Sequence, residues 1–252
     1  MKIDLYTLCW NEMDILPFVV DYWKRFVTHA YVYDNGSTDG SVEYLKQFDW
    51  ITVEHYESDG MDDSKLRDIK NTKWKQSKGN ADWVVVCDMD EIVYSKDLCK
   101  VLEEASSNGY TAIDCDWYWF CDDYLPEYKD DGLLLHQKLT KFHNNPGKHL
   151  IFNPNEINDI NYSIGAHAAN PTGNYRPCSS DEVCVFHTNK GFGIEYKIRR
   201  YKEMDDRLSE LDRRNKWSIH YGFSKQTLID DYLNCQKNSF NVNDKDISSN
   251  SY

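Results

Sequence analysis

Asp88, Asp90 and Glu91 close the run VVVCDMDE, placing three carboxylates within four positions behind an apolar stretch. Carboxylates gathered this closely repel one another unless a cation or hydrogen-bond donors compensate them. A hard divalent cation such as Mn²⁺ or Mg²⁺ takes oxygen ligands and fills the rest of its shell with a nucleotide's phosphates. Asp90 is therefore a candidate metal ligand, and Asp88 a candidate for the metal or for a ribose hydroxyl. The competing reading has the acids capping a following helix or facing solvent; the apolar run argues against it, because it reads as a buried strand that ends at the acids. Six histidines lie in the second half, at 136, 143, 149, 167, 187 and 220, and neutral imidazole is a common metal ligand. His187 ends the apolar run VCVFH before a Gly-containing loop and is the first candidate ligand; His167, in SIGAHAANP, is its rival.

Two further clusters carry recognition chemistry. DNGSTDGS, residues 34–41, follows a strand-like run and opens a helix. Asp34 is then placed at a strand end where it could bond to a base, while Asn-Gly and Ser37, Thr38 or Asp39 equally suit a plain turn and helix cap. Lys65, Arg67, Lys70, Lys73 and Lys75 form the densest basic stretch of the chain. They either face phosphates or form a solvated helix face.

The elements that must position these groups follow from apolar periodicity. The pattern predicts strands over 3–9, 30–33 and 51–55 and one ending at 87, with helices over 14–27, 41–48 and 64–77 between them. Such alternation predicts a parallel sheet covered by helices. Ligands of open sheets bind beyond the carboxyl ends of the strands. CWNE at 9–12, DNG at 34–36 and DMDE at 88–91 all fall there. Beyond Tyr94 the pattern loosens: a helix over 97–106, the strand-like TAIDCDWYWF, the polar loop CDDYLPEYKDDG, a Pro-, Asn- and Gly-rich region over 144–178, helices over 195–215 and 225–238, and a polar tail from 241 expected to fray.

Composition sets the bounds. The chain of 252 residues is 40% hydrophobic, enough for one α/β domain over 1–240 with halves at 1–94 and 95–240. A net charge of −13 excludes a sequence-independent grip on nucleic acid and gives no support for a broad polybasic membrane face. The eight cysteines show no CxxC spacing and are read mostly as reduced core thiols. With neither a signal-peptide pattern nor a stretch of about 18 apolar residues, the expected location is cytoplasmic, with peripheral membrane contact at most.

Three segments together, IDLYTLCWNEMDILPFVVDYW, YVYDNGSTDGS and KNTKWKQSKGNADWVVVCDMDE, resemble in order and spacing the nucleotide-sugar-binding half of family-two-like glycosyltransferases with the GT-A fold. The resemblance spans residues 3–94. It implies a three-layer α/β fold with a mostly parallel central sheet, flanking helices and C-terminal helices. It also implies a metal-dependent, inverting transfer from a nucleotide sugar, taken as a UDP-sugar, to a saccharide or glycolipid acceptor. By the same resemblance Thr7, Trp10 and Asn11 line the nucleotide pocket, Asp34 meets the base, and Lys65, Lys70, Asn71, Asp88 and Met89 adjoin the donor. Asp88, Asp90 and His187 would hold the metal, His187 because HTNKGFGIEYKIRRY resembles the family's late histidine segment. The sequence departs from the family in DMDE, where relatives carry consecutive acids, and Glu91 is left without a role. The base is sought among Asp116, Asp122 and Asp123, whose neighbours Trp117, Tyr118, Trp119 and Phe120 either stack on a sugar or pack in the core. A phosphatase of the haloacid-dehalogenase type using Asp88, a nucleotidyltransferase and a non-catalytic carbohydrate-binding domain are the alternatives.

Overall fold

The computed structural model describes residues 1–124, 127–128, 134–135, 138–141, 148–188 and 192–241. The N-terminal half runs β1 (Ile3–Cys9), α1 (Leu16–Trp23), β2 (His29–Asp34), α2 (Ser41–Leu45), β3 (Ile51–His55), α3 (Asp63–Thr72), β4 (Trp83–Asp88) and β5 (Glu91–Tyr94). Next come α4 (Leu98–Ser107), β6 (Ala112–Phe120), β7 (Glu127–Tyr128), β8 (Leu134–Leu135), β9 (Lys138–Lys141), β10 (Ile151–Phe152), β11 (Ile157–Asp159), β12 (Thr172–Gly173) and β13 (Pro177–His187). The chain closes with α5 (Ile194–Asp206), α6 (Glu210–Asn215), α7 (Lys225–Lys237) and β14 (Phe240–Asn241). His136, His143 and most of the tail lie outside the described residues.

A ten-stranded sheet takes strands from both halves in the order β14-β9-β6-β10-β4-β1-β2-β3, with β13 on β6 and β5 on β13. β4, β1, β2 and β3 are parallel, as the alternating pattern requires, and antiparallel β10 joins them to β6. Every residue of β1 and all of β4 before Asp88 is buried, so these central strands carry apolar side chains on both faces. The register sets the carboxyl ends level: Cys9 faces Asp34, Leu8 faces Asp88 and Asp34 faces His55. The three polar clusters thus meet at one edge.

Local chemistry fixes the helix ends. Asp62 caps α3 by accepting from the Ser64 and Lys65 amides, Asp97 caps α4 from Lys100, and Ser224 caps α7 from Thr227. The helix expected over 195–215 is two helices. The Ser209 hydroxyl accepts from the Asp212 amide and starts α6, while segment 207–209 leaves the helical path to bond with Met61: Met61 N donates to Arg207 O at 2.7 Å and Ser209 N to Met61 O at 2.8 Å. The cysteine reading holds for six thiols, which are free, and Cys121 and Cys235 depart from it, joined by a disulfide that ties the end of β6 to α7. No helix among the described residues is long and apolar enough to cross a membrane.

Gly60 makes the Met61 contact feasible. Its φ is +63°, and a Cβ would lie 2.0 Å from the Arg207 carbonyl oxygen. Gly60→Ala is expected to cost roughly 2–4 kcal/mol, from the left-handed backbone and the overlap combined. Denaturant midpoints check this; an unchanged midpoint would show that the segment yields freely.

Candidate active site

Beyond the sheet edge lies a cleft of about 300 Å³. Asp88, at the end of β4, and the Met89-Asp90 turn that leads into β5 line it. No helix follows the acids, so the capping alternative does not apply. The rest of the lining comes from α3, from Trp117 and Trp119 of β6, and from α5 with the turn Ile219–Gly222.

The three carboxylates differ in environment. Asp88 pairs with the buried Lys70, Oδ1 to Nζ at 2.6 Å. Burial pulls the Lys70 ammonium down, and Asp88 and Glu91 more than offset this, holding it above the ordinary lysine value. Asp90 Oδ2 lies 3.4 Å from His187 Nδ1. Burial raises the Asp90 carboxyl above its usual range, Asp88 and Glu91 add to that, and His187 opposes it. Glu91 is 0% exposed and forms an ion pair with the Lys148 ammonium, while its other oxygen accepts from the Asp88 amide at 3.0 Å. Burial alone would raise Glu91; Lys148 and Lys70 reverse this and hold it far below the usual carboxylate range. Glu91 is therefore the buried brace of the turn that presents Asp88 and Asp90.

His187 reaches this turn through register. β13 runs antiparallel to β5 with His187 opposite Glu91, and parallel to β6 with His187 opposite Trp119. The Trp119 ring lies 5.0 Å from the imidazole. Pleating sends Trp117 and Trp119 to the cleft, while Tyr118 and Phe120 pack in the core. Core packing therefore holds for Tyr118 and Phe120, while Trp117 and Trp119 are the rings placed at the cleft.

Of the residues singled out from sequence, Trp10, Arg67, Lys70, Asp88, Met89, Asp90, Trp117, Trp119, His167, His187 and His220 line the cleft. Thr7, Asn11, Asp34, Lys65 and Asn71 do not. Asp34 is buried in its own turn, accepting from the amides of Gly36 and Ser37 and from the Ser37 hydroxyl, and Asn11 accepts from the Thr38 amide at 2.7 Å. The turn geometry thus occupies both groups. Asn71 exchanges two hydrogen bonds with the backbone of Tyr162, fastening α3. Thr7 is buried within β1, and Lys65 is exposed off the cleft. None of the three base candidates lines the cleft. Asp116 is exposed on the strand position that alternates with Trp117, and Asp122 accepts from the Asp123 amide. Asp123 accepts from Tyr232 and Gln236 of α7.

Sequence reasoning missed a second set. Tyr196, Arg200, Met204 and Arg207 recur at helical spacing along α5 and its end, and all four face the cleft. The Arg207 guanidinium stacks 3.8 Å from the Trp10 ring, and Arg200 lies 5.2 Å from the same ring. Arg200 also pairs with Glu12 and donates to the carbonyls of Trp10 and Asn11. Burial pushes Glu12 up to about 8 against the pull of Arg200, with Asp90 adding to the rise. Asp63, at the start of α3, is raised to about 6 by burial and accepts from Ser218 at 2.7 Å. The spacing of the α5 residues was readable; Lys148 and Asp63 carry no local signal.

Among the described residues no group of three or more His, Cys, Asp or Glu side chains is arranged to enclose a metal ion by itself. Asp90 and His187 nonetheless offer an adjacent oxygen and nitrogen donor, and the desolvated Asp90 carboxyl would gain from a cation. One or two protein ligands completed by substrate phosphates is a usual shell for Mg²⁺. The donor set fits such an ion.

The family profile described as Glycosyl transferase family 2 matches residues 7–158. No curated protein sequence matches the chain at a significant level. Among solved structures the chain is similar to the crystal structure of S. aureus TarS 1-349, at 13% identity and a TM-score of 0.49 over 94% of this chain and 81% of that one.

Proposed function

The chain belongs to glycosyl transferase family 2, a glycosyltransferase family acting between a nucleotide-sugar donor and an acceptor, and from that premise we propose how its cleft works. The donor is a nucleoside-diphosphate sugar, taken as a UDP-sugar, with its diphosphate over the Met89-Asp90 turn. The acceptor is a saccharide or glycolipid, and transfer inverts the anomeric carbon. The observation that carries this reading is the convergence of Asp88, Asp90 and His187 with Lys70, Arg200 and Arg207 around one cleft. Carboxylate and imidazole suit a divalent cation, and the three side-chain cations suit a diphosphate.

Asp90 and His187 would hold Mn²⁺ or Mg²⁺, which when bound supplies charge stabilisation to the departing diphosphate. The chain's own groups do the rest. Lys70 neutralises Asp88 and stands beside the phosphates as a fixed charge. Arg200 and Arg207 hold Trp10 as a flat wall for an aromatic base. Trp117 and Trp119 offer stacking faces to a sugar. Burial pushes two cleft carboxyls toward neutral pH, Glu12 up to about 8 and Asp63 up to about 6, which suits either to exchange a proton there. They replace Asp116 and Asp122 as candidate bases.

The test incubates the protein with UDP- and GDP-sugars and Mn²⁺ and follows release of nucleoside diphosphate. Release from one donor class that stops on chelation is expected. Equal release with and without chelator would remove the metal from the account, and no release from any donor, with or without candidate acceptors, would remove the proposal.

A further inference from the structure

We propose that the outer side of segment 211–225 is a docking surface for an anionic lipid bilayer. Large apolar side chains stand out of the protein here: Ile219 is 55% exposed, Phe223 51% and Leu211 40%. Cations flank them. Segment 211–225 contains Arg213, Arg214, Lys216 and Lys225 and a single acid, the buried Asp212, within a chain of net charge −13. Arg213 is occupied by Asp205, whereas Arg214, Lys216 and Lys225 are exposed and form no ion pair among the described residues.

The apolar tips are held in place from below. Trp217 N donates to Asp212 O at 3.0 Å, the Ser218 hydroxyl to Asp63 at 2.7 Å, and Tyr221 packs edge-on against Tyr201 at 5.3 Å. The inward side of the same turn, Ser218, His220 and Tyr221, lines the cleft. The surface is therefore part of the cleft's rim. A few protruding apolar side chains among cations suit insertion between headgroups. Charge complementarity favours an anionic surface, each Lys or Arg near it strengthening partition by roughly fivefold. The acidic remainder of the chain is repelled by the same surface, so the patch also sets orientation. Screening confines that repulsion to about 10 Å at ordinary ionic strength, which lets a local patch prevail.

Resting on the transfer reading above, a docked rim would bring the cleft beside a lipid-anchored acceptor. The docking itself needs neither donor nor acceptor, so its failure leaves the transfer reading standing.

The experiment is co-sedimentation of the full chain with phosphatidylcholine vesicles, with and without phosphatidylglycerol, at low and high salt. Binding to the anionic vesicles that salt weakens is expected. Ile219→Asp with Phe223→Asp should reduce it about tenfold or more, and Arg214→Gln with Lys216→Gln and Lys225→Gln on the order of a hundredfold. All these positions are exposed, and thermal unfolding verifies that the variants remain folded. Absence of vesicle binding by the unaltered chain, or binding that neither variant changes, would overturn the proposal. So would light scattering that shows a dimer dissolved by the Ile219 and Phe223 changes, since the patch would then serve self-association.

Discussion

Asp90→Asn is expected to lower glycosyl transfer about a hundredfold to a thousandfold while the protein stays folded. The substitution preserves the size of the side chain and leaves the bond from Thr188 N to the Asp90 carbonyl, 2.9 Å, in place. What it removes is a negative charge beside His187 that the site holds at a cost. Burial and two neighbouring carboxylates already disfavour that charge. Its removal should therefore hold or raise the thermal midpoint, and retained stability with lost turnover is the signature of a charge kept for function. Steady-state kinetics and a melting curve on one preparation check both halves. Turnover near that of the unaltered protein would mean that Asp90 carries no donor contact.

Lys148→Met is expected to destabilise the fold by roughly 3–5 kcal/mol, because it takes the ion-pair partner from the buried Glu91 and leaves Lys70 as its main compensating cation. Lys148 and Glu91 side chains are 5% and 0% exposed, so solvent offers little relief. The pH dependence has a definite sign. In the unaltered protein the Glu91 pKa is depressed, so its contribution is present above the unfolded carboxylate pKa and fades as pH falls through the much lower folded value. Without Lys148 burial should raise that pKa, so the native state takes up a proton on acidification. The stability gap between the two proteins is then largest at neutral pH and narrows as pH falls. Adding Glu91→Gln to Lys148→Met should recover most of the loss. Urea melts at several pH values check this, and a gap that widens on acidification would contradict it.

The residues that sequence reveals well are those whose role follows from their own strand or turn. The VVV run of β4 and the level carboxyl ends of β1, β2 and β4 come from local periodicity and from the geometry of parallel sheets, and DMDE needs no distant partner to be placed at the edge. The helix over 195–215 was misjudged because its break at 207–209 depends on Gly60 and Met61, almost 150 residues earlier. Asp34 and Asn11 both accept from the amides of the 36–38 turn, an arrangement their types allow as readily as a ligand contact. Asp116 and Asp122 were chosen for proximity to an aromatic run, and strand alternation turns Asp116 away from the tryptophans that enter the cleft. Lys148 lies in a region without periodicity, and only the sheet brings it to Glu91. Arg200 and Arg207 were within reach of helical spacing applied beyond the histidine segment.

Calorimetric titration of UDP and GDP, each with and without Mn²⁺, into the unaltered protein and Asp90→Asn decides whether Asp90 serves a metal-bound donor. Mn²⁺ should tighten binding of one nucleoside diphosphate by about tenfold or more, a gain of roughly 1.4 kcal/mol, and the gain should disappear in Asp90→Asn. Identical metal-dependent binding by both proteins, or no nucleotide binding under any metal condition, would contradict that role.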